Sequence, residues 1–436
     1  MNDFANKTAA VVDSTGLFFN VAQTLAQSFG RTLYHTPQDE EFPSVLQAFT
    51  GTGFPGVERM DDIWRNPEFD AVDLWVFPGL GYVGAQEHLR ALGKRVFGAG
   101  AAGEIEAQRV RFLKLLEKHG LDVPPYEVVE GVTALREHLK KRKNVWIKLP
   151  RWRRDRETSH WRSYDEDFPL LDYFATRFGP FKEMIAFIVQ DHIETDLELG
   201  CDLICVDGMT PTHAVNGMEK KDKMYLGVCL PWEEIPEQVR TVVETFSPEL
   251  EGYRGFLSTE QRIAGDKNYW TDFTGRLGFP SGNCQLRLYG NIADVMWGAA
   301  EGEVVPIEPA GKYAIEVLID STAKGSEWSG IKIPDEAWPY VNPNSQCVVD
   351  DILWHPPLPD TNEATKTLGS FTVTGSTIKE AVAEAQRVAD MLKDLPINLH
   401  MGGIKDLLEE AQEAEEQGIP FSDEPTPDPE EVLKDE

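Results

Sequence analysis

The segment Gly255-Phe-Leu-Ser-Thr-Glu260-Gln-Arg-Ile-Ala-Gly265-Asp-Lys-Asn-Tyr-Trp270-Thr-Asp272-Phe-Thr274-Gly-Arg276 is the most informative stretch of the chain. Two strands joined at Gly265-Asp266 predict a hairpin that sets Glu260 beside Asp272. Asp272, Thr274 and Arg276 alternate, so one face is expected to carry all three. Two carboxylates forced together repel, and a cation removes that cost. With an oxygen ligand and an arginine nearby, the set suits Mg²⁺ and phosphate, because Mg²⁺ takes hard oxygens and keeps substrate phosphates in its shell. The same spacing also fits a solvated hairpin with ordinary charges on its polar face, so the rest of the chain has to decide.

Upstream, Ala9 to Asp13 reads as a buried strand, followed by helical periodicity from Ser14 to Gly30. Asp73 to Pro78 reads as a second strand, then come a glycine loop (Gly79, Gly81, Gly84), a helix, and strand-like Arg95 to Phe97. This α/β alternation places ligand sites at the C-terminal ends of strands. Gly79, Gly81 and Gly84 after a strand are a weak dinucleotide signal and read better as a turn near an acceptor substrate. Asp13-Ser-Thr-Gly16 is a second polar loop of the same kind.

Glu104 to His119 predicts a helix, Thr133 to Lys141 another, and Val145 to Leu149 a strand. Met184 to Gln190 and Cys201 to Val206 are strand-like. Ala314 to Ile319, Cys347 to Ile352 and Gly369 to Thr374 follow, and a capping-box start, Ser376 to Glu380, opens a helix running to Leu392.

The chain has 436 residues, 41% of them hydrophobic, which predicts two or three packed units. Its net charge of -31 repels nucleic-acid phosphates at long range. The last 36 residues hold 13 acids and are expected to stay solvated, with one amphipathic helix near Leu407 to Gln417. Five scattered cysteines argue for ordinary thiols and against a disulfide framework. With no signal peptide and no apolar run long enough to span a bilayer, a soluble cytoplasmic protein without a membrane partner is expected.

At this point the order of motifs resembles the ATP-grasp superfamily, distantly its phosphoribosylamine–glycine ligase branch, over roughly residues 8 to 395. The resemblance implies an α/β fold with a Rossmann-like N-terminal domain (1–103), a small lid and an antiparallel-sheet catalytic core (104–320), and a C-terminal domain (321–399) before the acidic tail (400–436). Phe97 to Arg109 resembles the family's first core helix, with Arg109 where lysine is usual. Trp146-Ile-Lys148 resembles the strand whose lysine binds nucleotide phosphates, and Val189-Gln190-Asp-His-Ile193 the hinge that reads adenine. Glu198 resembles the acidic ribose contact. Glu260, Asp272 and Thr274 resemble the metal ligands, and Arg276 their arginine companion.

ATP and Mg²⁺ are therefore the implied cofactors. The implied reaction is amide formation between a small-molecule carboxylate and an amine through an acyl phosphate, without a covalent enzyme nucleophile. Lys148, Arg276 and Arg287 are the expected catalytic cations, with Arg287 on a substrate carboxylate or phosphate. Three departures stand out. Gln190 stands where an acidic hinge residue is common. Thr274 replaces the usual Asn. The phosphate loop, normally glycine-rich, is Arg151-Trp-Arg-Arg154-Asp-Arg156, and Arg154 is the loop residue expected on nucleotide, since arginine holds phosphate bidentately.

Lys140 to Arg156 holds nine basic residues in an acidic protein. It reads as a phosphate lid, as a site for nucleic acid or a modified nucleotide, or as a solvated loop. Trp146, Trp152 and Trp161 offer stacking surfaces to the second. Two other functions stay open: a non-catalytic scaffold or nucleic-acid-binding protein of the same fold, and an NAD-dependent oxidoreductase using the N-terminal domain.

Overall fold

The computed structural model describes residues 3–37, 50–150, 158–195, 197–221, 223–322, 328–344, 347–355 and 367–432. The chain forms two compact units. Unit one comprises residues 1–103, 199–259 and 274–436; unit two comprises 104–198 and 260–273.

Unit one begins with β1 (Thr8–Val12), β2 (Arg31–His35), β3 (Val57–Arg59), β4 (Leu74–Val76) and β5 (Val96–Phe97). They form a parallel sheet in the order β3-β2-β1-β4-β5. Ala9 to Val12 are all buried, which is why β1 reads as a continuous apolar run and not as an alternating one. Ala10, Leu33, Trp75, Leu89 and Val96 belong to the core on one side. The helix expected from Ser14 starts only at Phe19 and ends at Leu25. Asp13 is the cause. Its carboxylate accepts the backbone N–H groups of Thr15 at 2.9 Å and Phe18 at 2.7 Å, and the Tyr34 hydroxyl at 3.0 Å, locking a turn in place of the first helical residues. Gly81 lies against that turn: a Cβ there would come within 2.3 Å of the Ser14 Cβ. The two polar loops picked out from sequence are therefore in contact.

Unit two carries β6 (Tyr126–Glu130), β7 (Val145–Lys148), β8 (Thr158–Trp161) and β9 (Ala186–Asp191), an antiparallel sheet in the order β6-β9-β7-β8. One face packs on helices Val132–Leu139 and Tyr164–Phe178 through Leu135, Trp161, Leu171, Phe174, Phe187 and Val189. The other face is set by register. Tyr126, Gln190, Trp146 and His160 form one cross-strand row; Val128, Ile188, Lys148 and Thr158 form the next.

The remaining strands are β10 (Glu198–Val206), β11 (His213–Lys220), β12 (Met224–Pro231), β13 (Arg254–Ala264), β14 (Lys267–Thr274), β15 (Tyr313–Ser321), β16 (Ser329–Ile331), β17 (Val341–Pro343), β18 (Cys347–Val349), β19 (Ile352–His355), β20 (Thr367–Gly375) and β21 (Ile397–Leu399). In unit one the order is β13-β10-β11-β12-β15-β20-β17, with β21 on β15. From Glu260 onward β13 pairs with β14 as the hairpin of unit two. β16, β19 and β18 form a small separate sheet. The single strand expected over Cys347 to Ile352 is instead a hairpin, because Asp350 and Asp351 both take positive φ, 53° and 61°. Helix Ile378–Leu392 packs on β20 and β15, and its start is capped as expected: Thr377 Oγ1 accepts the Glu380 N–H at 3.1 Å and the Glu380 carboxylate accepts the Ser376 N–H at 2.9 Å.

The acidic tail does not stay solvated. Helix Gly403–Glu416 lies on β11 and β12, with Ile404, Leu407, Leu408 and Ala411 buried. Beyond it, Phe421 is buried and its carbonyl accepts the Asn216 side-chain amide at 2.8 Å, while Lys312 pairs with Asp423 and Glu424. The acids occupy the outer side of an amphipathic helix, and the apolar stripe at positions three and four apart decides the outcome. Among the described residues, no helix is long and apolar enough to cross a membrane. Replacing Leu408, fully buried, with Ala is expected to destabilise the protein by about 2–5 kcal/mol in urea unfolding. An unchanged unfolding midpoint would mean that this helix contributes no core.

Candidate functional site

The hairpin of unit two brings the expected acids together by a broken alternation. Trp270 and Phe273, three residues apart, both pack on Phe112, with ring centroids 5.3 and 5.8 Å away. Residues three apart on a regular strand face opposite sides, so the pleat is interrupted at Thr271-Asp272. The Trp270 indole N–H donates to the Asp272 carbonyl at 2.7 Å across this irregularity. The Thr271 hydroxyl donates to both the Glu260 carbonyl and its Oε1 at 3.1 Å, so Thr271 is the direct cross-strand partner of Glu260. Glu260 and Asp272 both feel the Lys148 charge.

Lys148 lies at the end of β7 and is only 8% exposed. Its Nζ is 3.5 Å from Asp272 Oδ2 and donates to the Thr271 carbonyl at 3.3 Å. Arg109 Nη2 donates to Asp272 Oδ1 at 3.4 Å. The helix expected over Glu104 to His119 breaks at Gln108, whose φ of -122° and ψ of 62° are not helical, so Arg109 opens the segment Arg109–Lys118. Its backbone N–H donates to the Pro150 carbonyl at 2.9 Å, which ties it to the end of the lysine strand.

The electrostatics of the two acids diverge. Burial pushes the Asp272 carboxyl up, but Lys148 and Arg109 outweigh it and hold it below the ordinary carboxylate range. Burial also raises Glu260, and Glu198 and Asp272 add to it; Lys148 and Thr271 only partly offset them, leaving Glu260 near about 7. One acid is thus charged between two cations, while its neighbour is held at the edge of neutrality. Such divergence between adjacent acids occurs at functional sites and in structural ion-pair networks alike.

Around this centre, Gln190 is buried between Tyr126 and Trp146. Ile193 follows β9, and its carbonyl accepts the Thr195 N–H at 3.0 Å. Glu198 is exposed and pairs with Arg262 at 2.6 Å. Trp146 stacks on His160 with centroids 4.6 Å apart and donates its indole N–H to His192 Nδ1 at 3.0 Å. Sequence reading singled out Trp146 but gave no signal for His160, because its position beside Trp146 depends on the β7–β8 register. Of the basic run, Lys140 pairs with Glu137 at 2.6 Å, and Arg142 pairs with Glu127 and Asp191. Arg154, with Arg151, Arg153 and Arg156, lies outside the described residues.

Thr274, Arg276 and Arg287 belong to unit one. β14 ends at Thr274, so the alternating face expected to carry Asp272, Thr274 and Arg276 stops before Arg276. Arg276 Nη1 donates to the Leu277 carbonyl at 3.4 Å. Arg287 donates to the Pro339 carbonyl at 2.6 Å; burial lowers its pKa, against the opposing charge of Glu316. Among the described residues, no group of three or more His, Cys, Asp or Glu is arranged to hold a metal, so any cation at Glu260 and Asp272 would complete its shell with other oxygens. All five cysteines are free and buried.

A carboxyl whose folded pKa is raised contributes stability that is present in acid and lost as pH rises through the folded value. In metal-free buffer the unfolding free energy of the wild type is therefore expected to fall, relative to Glu260→Gln, between about pH 4.5 and about 7. A difference between the two proteins that does not vary with pH would contradict this assignment.

No family model matches the sequence, and no curated protein matches it. Solved structures do. Phosphoribosylamine–glycine ligase from Thermotoga maritima is 17% identical, with 90% of this chain and 97% of that one aligned at a TM-score of 0.65. Biotin carboxylase from Campylobacter jejuni, solved as a β,γ-ATP complex, is 14% identical over 95% of this chain and 97% of that one, TM-score 0.60. L-amino acid ligase from Bacillus licheniformis is 14% identical over 90% and 98%, TM-score 0.57. With its parallel N-terminal sheet, small antiparallel lid sheet and large antiparallel sheet, the chain has the ATP-grasp fold that the sequence resembles.

Proposed function

We propose that this protein is an ATP- and Mg²⁺-dependent ligase that activates a carboxylate as an acyl phosphate and passes it to an amine. The observation that carries the reading is the convergence of Lys148 and Arg109 on half-buried Asp272, next to a second acid, Glu260, raised by its surroundings. Magnesium fits the donors at Glu260 and Asp272: both are hard carboxylate oxygens, and a divalent cation would relieve the cost of ionising Glu260. Bound there, it would neutralise charge on the ATP phosphates.

The chain's own residues take the remaining roles. Lys148 and Arg109 hold phosphate oxygens by charge and hydrogen bonds, with Arg154 as the proposed loop contact. Gln190 and Ile193 take the adenine end, and Glu198 takes the ribose. Thr274 as a metal ligand, and Arg276 and Arg287 as catalytic cations, enter through the resemblance alone. The substrate carboxylate attacks the γ-phosphorus and ADP leaves. The amine then attacks the acyl carbon of the acyl phosphate, phosphate departs, and the nitrogen loses a proton as the amide forms. Water must be kept out, since the acyl phosphate would hydrolyse. Two of the similar structures bear the names of ligases, one for phosphoribosylamine and glycine and one for L-amino acids, which favours an amino acid as one substrate.

The test is a thermal-shift screen of ATP–Mg²⁺ with amino acids and amines, followed by phosphate release on the hits. Glu260→Gln is expected to slow release by about 100-fold or more while weakening ATP binding by less than about tenfold. Unchanged turnover would remove Glu260 from the chemistry. ATP binding with no phosphate release for any pair would remove the ligase reading.

A further inference from the structure

Glu316 sits in the middle of β15, between β12 and β20, and is completely buried. Its Oε1 accepts Asn283 Nδ2 at 2.6 Å and the Ser370 hydroxyl at 2.6 Å, and the Asn283 backbone N–H also donates to the carboxylate. Its Oε2 is buried and has no hydrogen-bond partner among the described residues. Asn20 repeats the pattern. Its Nδ2 donates to Asn283 Oδ1, while its own Oδ1 is buried without a partner. Asn342 Nδ2 donates to the Ser370 and Thr372 hydroxyls at 3.2 and 2.9 Å and closes one side. The guanidinium of Arg287 is within electrostatic reach, but its Nη2 donates to the Pro339 carbonyl at 2.6 Å and faces Asn342 Oδ1 at 3.5 Å.

A buried carboxylate with one bare oxygen is costly unless a proton or a positive charge compensates it. We propose that the two unpartnered oxygens, Glu316 Oε2 and Asn20 Oδ1, take one monovalent cation of the potassium or ammonium class, with Asn283 and Ser370 holding the carboxylate in place. One carboxylate balances one positive charge, and the Asn20 amide oxygen adds a neutral donor. Magnesium suits the site less, since it usually keeps several waters and binds through carboxylates together with substrate phosphates. Oxygen donors also disfavour soft metals. The cation would join helix Phe19–Leu25, helix Gly282–Leu288, β15 and β20, all within unit one. The site is independent of the ligase reading.

The charged and titratable neighbours are Asp202, Cys284 and Arg287, with Tyr225 opposite Glu316 on β12. Burial pushes the Glu316 carboxyl up to about 8, with Asp202 adding to it, so a proton competes with the cation. Binding is therefore expected to strengthen as pH rises through about 8.

The full chain, exchanged into N-methyl-D-glucamine chloride at alkaline pH, is expected to gain about 2 °C in unfolding midpoint when potassium or ammonium replaces that ion at constant ionic strength. Glu316→Gln keeps the side-chain size without the charge and should abolish the gain; Ser370→Ala should reduce it. Thallium(I) soaked into crystals of the wild type should give anomalous density beside Glu316 Oε2, a measurement that stands even if the variants do not fold. No gain in the wild type, an equal gain in Glu316→Gln, or no thallium at Glu316 overturns the proposal.

Discussion

Lys148 and Arg109 reach half-buried Asp272 from two different elements and hold it in its ionised form. That single ion cluster constrains much around it. It requires β7 to end where Lys148 does, the helix to restart at Arg109, and the hairpin to break its pleat at Thr271-Asp272. Isolated buried ions are expensive, so a cluster of this kind persists where its charges are also used. The neighbouring Glu260 shows the unbalanced part of the design: its carboxyl is pushed up because the two cations are committed to Asp272 and cannot fully serve both acids.

The arrangement explains how one hairpin can serve both fold and site. Trp270 and Phe273 turn inward to Phe112 and supply packing, while the two residues between them carry the polar work. The interruption that gives both aromatics the same side also turns Asp272 toward Lys148. In unit one, the turn after β1 follows the same logic, with the buried Asp13 carboxylate collecting backbone N–H groups that would otherwise open a helix.

Much of this was legible in the residues. Gly265-Asp266 announced the hairpin, the apolar run at Ala9 announced a covered parallel strand, and Ser376 to Glu380 announced a capped helix, because each is a local pattern with a local cause. The rest is non-local. Lys148 and Asp272 are far apart in the chain, and only the family resemblance, not spacing, linked them. β2 follows directly after Gly30 with little in the sequence to separate it from the preceding helical pattern. The irregularity at Thr271 depends on Phe112, which no window around the hairpin contains. In the tail, composition pointed one way and periodicity the other. The stripe of Ile404, Leu407, Leu408 and Ala411 prevailed because apolar burial, not net charge, decides whether a helix docks.

The claim on which the functional account turns is that the acid pair at Glu260 and Asp272 takes a divalent cation together with nucleotide phosphates. Isothermal titration of the full chain with ATP, once with Mg²⁺ and once with a chelator, measures it directly. The account expects binding that is at least about tenfold tighter with Mg²⁺, and a smaller Mg²⁺ dependence in Glu260→Gln. Equal affinity in both buffers, or the same Mg²⁺ dependence in the variant, would contradict it.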